Sequence, residues 1–258
     1  MDAKSLRAEI RAGRHTTVTT GMARGHLQAN LAILPADWAE EFAAFCAANP
    51  KPCPLIAQSG PGDPRLPALG RDIDVRSDLP RYRVFRDGVE VSEETDISAL
   101  WRDDLVAFAL GCSYSFEAAL LDAGVPIRHI EQGKKVCTYR TGLDTVSAGR
   151  LHGRMVVSMR NFTVANAIRA IEITARFPRV HGAPIHFGDP AAIGIADIDK
   201  PEFGGEPDIR PGEVPLFWAC GVTPQTVIEA ARPPFCITHK AGHMLITDRT
   251  NEEFREPS

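Results

Sequence analysis

The stretch Leu105–Gly124, which reads LVAFALGCSYSFEAALLDAG, constrains the fold of this 258-residue chain more than any other. Uncharged, mostly apolar residues run into Gly-Cys-Ser, and an apolar segment that carries Glu117 near its start follows. This order predicts a buried strand, a tight loop and a helix. Ser113 or Ser115 is suited to cap that helix, and Glu117 falls in its first turn, where the helix dipole favours a carboxylate. The amides of such a loop are suited to binding an anion.

A second segment, Leu216–Gln225, repeats this pattern near the end of the chain. It reads LFWACGVTPQ, again an apolar run, a turn with Cys and Gly, and a hydroxyl residue. Thr223 as N-cap with Pro224 at the first helical position is a favourable helix start. If both strands lie parallel in one sheet, their carboxyl ends open on the same crevice. The residues that this arrangement would bring together are Cys112, Ser113, Glu117, Cys220 and Thr223.

The rest of the pattern predicts further helices and strands. Four helices are predicted. The first is Ser5–Ala12, and the second has Leu27, Leu31 and Leu34 at helical spacing. The third begins with a capping box of Asp37 and Glu40, and the fourth is capped by Thr163. Predicted strands are Tyr82–Arg86 and Val89–Val91 around the hairpin turn Asp87-Gly88, then Ile127–Ile130, Val136–Tyr139, Arg154–Met159, Ala183–Phe187, and a pair formed by Phe235–His239 and Met244–Thr247.

Charge is unevenly distributed in the second half of the chain. Residues 134–182 hold nine Lys and Arg against two acidic residues, whereas residues 183–215 hold two basic against seven acidic residues. Neighbouring surfaces that neutralise each other explain such polarity, because charge runs are commonly solvated. The alternative is that the Arg-rich part faces an anionic ligand.

Composition excludes several classes of protein. The net charge of −4 argues against a nucleic-acid binder, and no apolar run is long enough to span a bilayer. The first residues lack an apolar signal core, so a cytoplasmic protein is expected. The six cysteines show no CxxC pairs, which argues against a disulfide scaffold or a structural zinc site. No nucleotide, hydrolase or metalloprotease motif is present, so no cofactor is predicted. Oligomeric state is open, with a homo-oligomer among the alternatives.

Candidate chemical groups follow several predicted strands. His239 and His243 are separated by a predicted turn, which makes them a weak metal motif, but one of them is suited to acid–base work. His186 and Asp189 lie at a strand end and its glycine turn, although Asp in Gly-Asp-Pro also serves as a turn former. Two arginines just past strands, Arg140 and Arg160, are each suited to binding a carboxylate with paired hydrogen bonds, and as surface residues they would need no functional explanation.

Six segments together resemble one known family. They are Gly111-Cys-Ser-Tyr-Ser-Phe-Glu117, Val157-Ser-Met-Arg160, His181-Gly-Ala-Pro-Ile-His186, Gly188-Asp-Pro190, Phe217-Trp-Ala-Cys-Gly-Val-Thr-Pro-Gln225 and Ile237-Thr-His239 with Gly242-His-Met-Leu245. In combination they resemble the D-glutamate cyclase family, whose bacterial members are often labelled hydro-lyases. The resemblance runs from Arg7 to about Asp248 and implies a lyase that removes water, as in the conversion of D-glutamate to 5-oxo-D-proline.

The resemblance also implies a fold of class α/β, with a three-layer α/β domain and a smaller two-layer α+β domain. We predict that residues 1–133 together with 214–258 form the larger domain. Residues 134–213, with the basic β-α-β region, would form the inserted α+β domain. The site would lie in the cleft between the two.

The leading prediction is a dehydrating carbon–oxygen lyase that acts on a small carboxylated or amino-acid substrate. Arg140, Arg160 and the amides near Cys112–Ser113 and Gly221–Thr223 are expected to bind carboxylates and the oxyanion, and the acid–base candidates are Glu117, His186, Asp189 and His239. One alternative is a cofactor-independent racemase or isomerase in which Cys112 and Cys220 act as two bases, although both thiols also suit a merely crowded turn. Another is a carboxylate-binding protein without catalysis.

Overall fold

The computed structural model describes residues 1–256 and shows a mixed α/β protein with two antiparallel sheets and six α-helices. The helices are α1 (Ala3–Arg11), α2 (Ala36–Ala48), α3 (Tyr114–Asp122), α4 (Arg128–Glu131), α5 (Val164–Ala175) and α6 (Val222–Ala231). The strands are β1 (His26–Pro35), β2 (Leu55–Gln58), β3 (Tyr82–Arg86), β4 (Val89–Glu94), β5 (Leu105–Gly111), β6 (Cys137–Asp144), β7 (Arg154–Thr163), β8 (His186–Phe187), β9 (Glu213–Ala219), β10 (Cys236–His239) and β11 (Leu245–Thr250). No helix within residues 1–256 has the length and apolar character that crossing a bilayer requires.

Strand β1 is the centre of the first sheet, whose order is β2-β5-β1-β10-β3-β4. One edge of β1 pairs with β5 along its length, and the other edge pairs with β11 in its first half and with β10 in its second half. The predicted helix at Leu27, Leu31 and Leu34 is therefore wrong. Nearly every residue of β1 is buried, so an almost continuous apolar run satisfies a helical spacing by coincidence.

The alternation of β1 side chains separates two apolar cores. Ala29, Leu31 and Ile33 pack into the core on one face of the sheet. Ala32 and Leu34 pack on the other face, against α2. Gln28 and Asn30 precede this second pair at spacing two, so the same face of β1 becomes polar where α2 no longer covers it.

The second sheet has the order β6-β7-β9-β8 and is antiparallel throughout. Helices α3 and α5 pack on one face around Trp218, and a smaller core around Tyr139 and Phe217 covers the other. Strand β9 pairs with β7 along its whole length, so β5 and β9 belong to different sheets. The condition that they lie parallel in one sheet is therefore not met. The division of the chain into a larger and an inserted domain stays a prediction.

Most predicted elements are confirmed, with differences at individual positions. The strand–turn–helix units β5–α3 and β9–α6, the β3–β4 hairpin and the Thr163 cap are present. The predicted strand Ile127–Ile130 is wrong, because the helix α4 occupies this segment, and β8 is shorter than expected. Strands β10 and β11 both pair with β1 instead of forming a pair of their own.

Candidate active site

Two strand-to-helix turns meet at one cavity of about 800 Å³. Residues Cys112–Ser115 lead from β5 into α3, and Cys220–Val222 lead from β9 into α6; both groups line the cavity. The N-terminal ends of both helices therefore face the same space. The Ser115 and Thr223 amides donate to the Cys112 and Cys220 carbonyls, but the helix dipole still makes each of these ends positive. The two turns together form a region suited to an anionic group.

Asn30 of β1 lies between the two turns. Its side-chain amide donates a hydrogen bond of 2.9 Å to the Gly111 carbonyl at the end of β5. On the other side, a Cβ atom placed on Gly221 would lie only 2.2 Å from the same Asn30 nitrogen. Gly111 is equally constrained, because a Cβ there would lie 2.4 Å from the Arg179 carbonyl oxygen. Both glycines are thus required by close approach, and Asn30 fixes the spacing of the turns.

The two thiols occupy equivalent positions in their turns. Cys112 accepts the backbone N–H of Tyr114, and Cys220 accepts the backbone N–H of Val222, in each case two residues further along. Burial raises the pKa of Cys112 to about 12 and also raises the pKa of Cys220, although these amides act in the opposite direction. Both side chains are therefore protonated thiols at neutral pH. They can donate a proton or a hydrogen bond into the cavity.

Glu117 is held by a buried ion pair with Arg160. The Arg160 Nε donates to Glu117 Oε1 at 2.8 Å, and a terminal nitrogen of the same guanidinium contacts this oxygen as well. His129 Nε2 lies 3.2 Å from it. Burial opposes ionisation of Glu117, but Arg160 and His129 outweigh this effect and hold the pKa of the carboxyl below its ordinary value. Glu117 therefore enters the cavity as a carboxylate.

The guanidinium of Arg160 makes four hydrogen bonds, two of them to Glu117. It donates to Ser158 Oγ at 3.0 Å and to Ser113 Oγ at 3.2 Å, and it lies 5.3 and 5.4 Å from the ring centres of Phe116 and Trp218. The Ser113 hydroxyl is thus part of the ion-pair network, which explains why it makes no cap hydrogen bond to α3. Arg160 lies behind Glu117 and does not itself line the cavity.

His239 is a buried, neutral imidazole at the cavity wall. The backbone N–H of Leu31 donates to its Nδ1 at 3.1 Å, and the Gln225 amide nitrogen lies 3.1 Å from the same atom. Burial lowers the pKa of His239 to about 4, so the ring is uncharged at neutral pH. Nδ1 also lies 3.3 Å from the Leu31 carbonyl oxygen, so the neutral ring can carry its proton on either nitrogen. His239 is therefore suited to donate a hydrogen bond without carrying charge.

The structure brings together six of the ten predicted site residues. Those that line the cavity are Cys112, Ser113, Glu117, Cys220 and His239, and Arg160 contacts Glu117 from behind. Thr223 exchanges hydrogen bonds with the Val156 backbone and so attaches α6 to β7; the N-cap of α6 is Gly221, not Thr223. Arg140 is exposed and lies over Phe203, while His186 contacts the Asp189 carbonyl at 2.7 Å. Arg140, His186, Asp189 and Thr223 do not line the cavity.

Several cavity residues were not predicted. They are Gln28, Asn30, His129, Lys134, Lys135 and Gln225. The two lysines belong to the basic segment whose charge excess suggested an anionic ligand, so a signal for them existed. The sequence contains no such signal for Asn30, because the spacing of the neighbouring leucines predicts a helix there and not a strand.

The charges that line the cavity favour an anionic ligand. Arg24, Lys134 and Lys135 contribute positive charge, and within residues 1–256 Glu117 is the one acidic side chain in the wall. Its charge is compensated by Arg160. In the same residues, no three His, Cys, Asp or Glu side chains are grouped to hold a metal ion.

Comparison with known proteins places these features in a family. The family described as D-glutamate cyclase matches residues 106–248. A protein of Bordetella petrii named "Putative hydro-lyase" is 64% identical over 95% of this chain and 93% of its own length. One of the same name from Verminephrobacter eiseniae is 60% identical over 98% and 92%. A solved structure of a nitrogen repressor-like protein from Methanococcus jannaschii covers 95% of this chain and 98% of its own, at 10% identity and a TM-score of 0.39, too weak a likeness to support any conclusion.

Proposed function

The chain belongs to the D-glutamate cyclase family, and on that premise we propose that it is a dehydrating carbon–oxygen lyase of a small amino acid with two carboxyl groups. D-glutamate is the first substrate to test. The observation that carries the proposal is the convergence of two helix N-termini, two thiols and one compensated carboxylate on a single cavity with a positive wall. Family membership alone does not fix a substrate, so the site chemistry must support it.

Cyclisation of glutamate imposes clear demands on a site. The α-amine nitrogen forms a bond to the γ-carboxyl carbon, and one γ-oxygen departs. Two protons of the substrate ammonium leave with that oxygen as water, so no further reactant is needed. The site must bind the α-carboxylate, accept a proton from the ammonium, and protonate the departing oxygen.

The cavity offers a group for each of these tasks. The positive N-terminal ends of α3 and α6 are suited to attract the carboxylate and to stabilise the oxyanion that develops on the γ-carbon. The ionised Glu117 lies in the cavity wall and is suited to accept a proton from the substrate ammonium. The neutral imidazole of His239 and the thiol of Cys112 are suited to donate a proton to the departing oxygen. Arg160 acts as a positioning residue, because its donors are occupied by Glu117 and the two serines.

The test is a screen of the purified protein against D-glutamate, L-glutamate and other small amino and hydroxy acids. Products that have lost one water are detected by mass spectrometry, with and without a chelator. We expect D-glutamate to be converted, and Glu117→Gln to lower kcat/KM at least about 100-fold. Asp189→Asn is the matched control, because this exposed carboxylate lies outside the cavity. Absence of product from every compound would refute the lyase proposal.

A second candidate is a cofactor-independent amino-acid racemase. It is favoured by the two thiols, which lie in equivalent turns and line the same cavity. In that reaction one thiolate removes the α-proton and the opposite thiol returns a proton to the other face of the carbon. The raised pKa of both thiols opposes formation of the required thiolate.

Isotope exchange separates the two reactions. A racemase operating in D₂O places deuterium on the α-carbon, whereas cyclisation leaves that position unlabelled. Cys112→Ala and Cys220→Ala should each abolish the exchange, with Cys46→Ala, a buried thiol on α2 outside the cavity, as control. Undiminished turnover in both cavity variants eliminates the thiol mechanism.

A further inference from the structure

The cavity extends well beyond the two turns. Tyr114, Glu117, Ala118 and Leu121 all line it, at the spacing of one helix face. Seven residues of helix correspond to about 10 Å, so the cavity follows α3 for two turns. Pockets of about 300–1,000 Å³ hold drug-sized ligands, and a volume of about 800 Å³ exceeds what a five-carbon amino acid fills.

Six residues of the cavity wall that are apolar or basic are here called the outer chamber: Met22, Ala118, Leu121, Ile130, Lys134 and Lys135. Its larger apolar side chains are uncovered: Leu121 is 38% exposed and Ile130 is 41% exposed. Large apolar side chains grouped in a concave site commonly mark the place of a ligand. The outer chamber is continuous with the wall that holds Glu117, so a single ligand can occupy both.

The outer chamber also presents uncompensated positive charge. Lys134 and Lys135 both line it, and within residues 1–256 neither has an acidic side chain within salt-bridge distance. Arg24 at the same cavity, by contrast, is paired with Asp122. The two lysines are therefore available to a carboxylate carried by a ligand whose apolar part lies against Leu121 and Ile130.

We propose that the preferred substrate is a glutamyl compound with an apolar substituent that ends in a carboxylate, joined as an amide to the α-carboxyl group. This inference rests on the proposed lyase function, because it concerns the same site. In such a compound the amide carbonyl takes the place of the α-carboxylate at the positive helix ends, and the carboxylate of the substituent lies at Lys134 and Lys135. Cyclisation needs the free α-amine and the free γ-carboxyl, so the α-carboxyl is the position that can carry a substituent. The amine nitrogen bonds to the γ-carbon, one γ-oxygen leaves as water with two ammonium protons, and the substituent remains unchanged.

The experiment compares four compounds with the purified protein. They are D-glutamate, D-glutamyl-glycine, D-glutamyl-leucinamide and D-glutamyl-leucine, where the last combines an apolar side chain with a terminal carboxylate. Water loss is measured by mass spectrometry and binding by isothermal titration calorimetry. Burial of a leucine side chain predicts kcat/KM and affinity for D-glutamyl-leucine at least about tenfold above those for D-glutamate. The kcat/KM values and affinities of D-glutamyl-glycine and D-glutamyl-leucinamide should lie between those of D-glutamate and D-glutamyl-leucine.

Variants of the outer chamber locate the effect. Leu121→Asn should lower the ratio of kcat/KM for D-glutamyl-leucine to kcat/KM for D-glutamate to nearly one. Lys135→Gln should lower the ratio of kcat/KM for D-glutamyl-leucine to kcat/KM for D-glutamyl-leucinamide. Ile168→Asn is the matched control, because this side chain on α5 is 54% exposed and does not line the cavity. It should leave the preferences unchanged.

The two readouts separate failure of this inference from failure of the proposed function. If no compound is converted but D-glutamyl-leucine binds about tenfold more tightly than D-glutamate, the lyase function is refuted and binding of the substituent in the outer chamber is supported. If D-glutamate is converted, but D-glutamyl-leucine and D-glutamate have equal affinity and equal kcat/KM, the proposed role of the outer chamber is refuted. A preference that survives Leu121→Asn also refutes it.

Discussion

Asn30 shows how a single side chain sets the geometry of the candidate site. It donates to the Gly111 carbonyl and fills the space next to Gly221, so it contacts both turns that face the cavity. A larger residue at either glycine must displace its neighbour. The distance between the two helix N-termini, and hence the cradle for an anion, depends on this contact.

We predict that Gly221→Ala destabilises the protein through Asn30. The new methyl group would lie 2.2 Å from the Asn30 nitrogen, so the amide must rotate and abandon the Gly111 carbonyl. A buried acceptor left unpaired costs about 1–3 kcal/mol. The free energy of unfolding in urea measures the loss.

Two further variants test whether Asn30 is the cause. Gly60→Ala is the control, because no atom lies within 4 Å of its added Cβ and a change within about 0.5 kcal/mol is expected. In the double variant with Asn30→Ala the collision is gone, so the combined loss should be smaller than the sum of the single losses. Strictly additive losses would contradict the proposed contact.

At the scale of elements, the sequence predicted units whose signals are local. The β5–α3 and β9–α6 units, the hairpin at Asp87-Gly88 and the Thr163 cap follow from turn residues and neighbouring apolar runs. Strand β1 was mistaken for a helix because its apolar run fits both periods, and only pairing with β5, β10 and β11 decides between them. The polar contacts of Asn30 and Gln225 were missed for the same reason: they depend on which strands become neighbours.

Helix α1 is attached to the first sheet by one buried arginine. Arg7 is fully buried and donates to the Ile246 carbonyl at 3.0 Å and to Asp72 and Asp248 at 2.6 Å each. Apolar residues of α1, among them Leu6 and Ile10, pack against Ile246 of β11. The helix therefore depends on a charged anchor as well as on apolar contact.

We predict that Arg7→Met loosens α1 before the rest of the molecule. Without Arg7, Asp248 loses its partner and Asp72 keeps only Arg11, so the loss of this buried arginine should lower the free energy of unfolding by about 3 kcal/mol. Hydrogen exchange of residues 3–11 should accelerate more than that of β1. Arg14→Met is the control, because this exposed arginine pairs only with Glu9 and should cost less than about 1 kcal/mol. Equal protection of α1 in wild type and Arg7→Met would contradict the anchor.

For the whole molecule, two buried imidazoles predict sensitivity to mild acid. Burial lowers the pKa of both His181 and His239 to about 4. In the unfolded chain both rings titrate near their ordinary pKa of about 6.5. Between these values the unfolded state binds more protons, so the free energy of unfolding falls as the pH falls.

The expected loss is roughly 2 kcal/mol per imidazole between pH 8 and pH 5. Carboxylates with a lowered pKa, such as Glu117, lose their contribution only at lower pH, so this window belongs to the histidines. Urea unfolding at pH 8, 6.5 and 5 measures the slope. His239→Gln should flatten it, whereas His152→Gln, an exposed residue, should not. An unchanged slope in His239→Gln would exclude this histidine as a source.

The position of β1 has a consequence for synthesis on the ribosome. One edge of this strand is matched by β5 early in translation, but the strands for the other edge, β10 and β11, are among the last residues made. Until then the nascent chain carries a long apolar strand with an open edge, a template for unwanted pairing with other chains. His239 arrives with β10, so the wall of the cavity is completed only at the end of translation. A message truncated before Cys236 would yield a fragment that lacks β10 and β11, so this edge of β1 would stay unpaired and the site would stay incomplete.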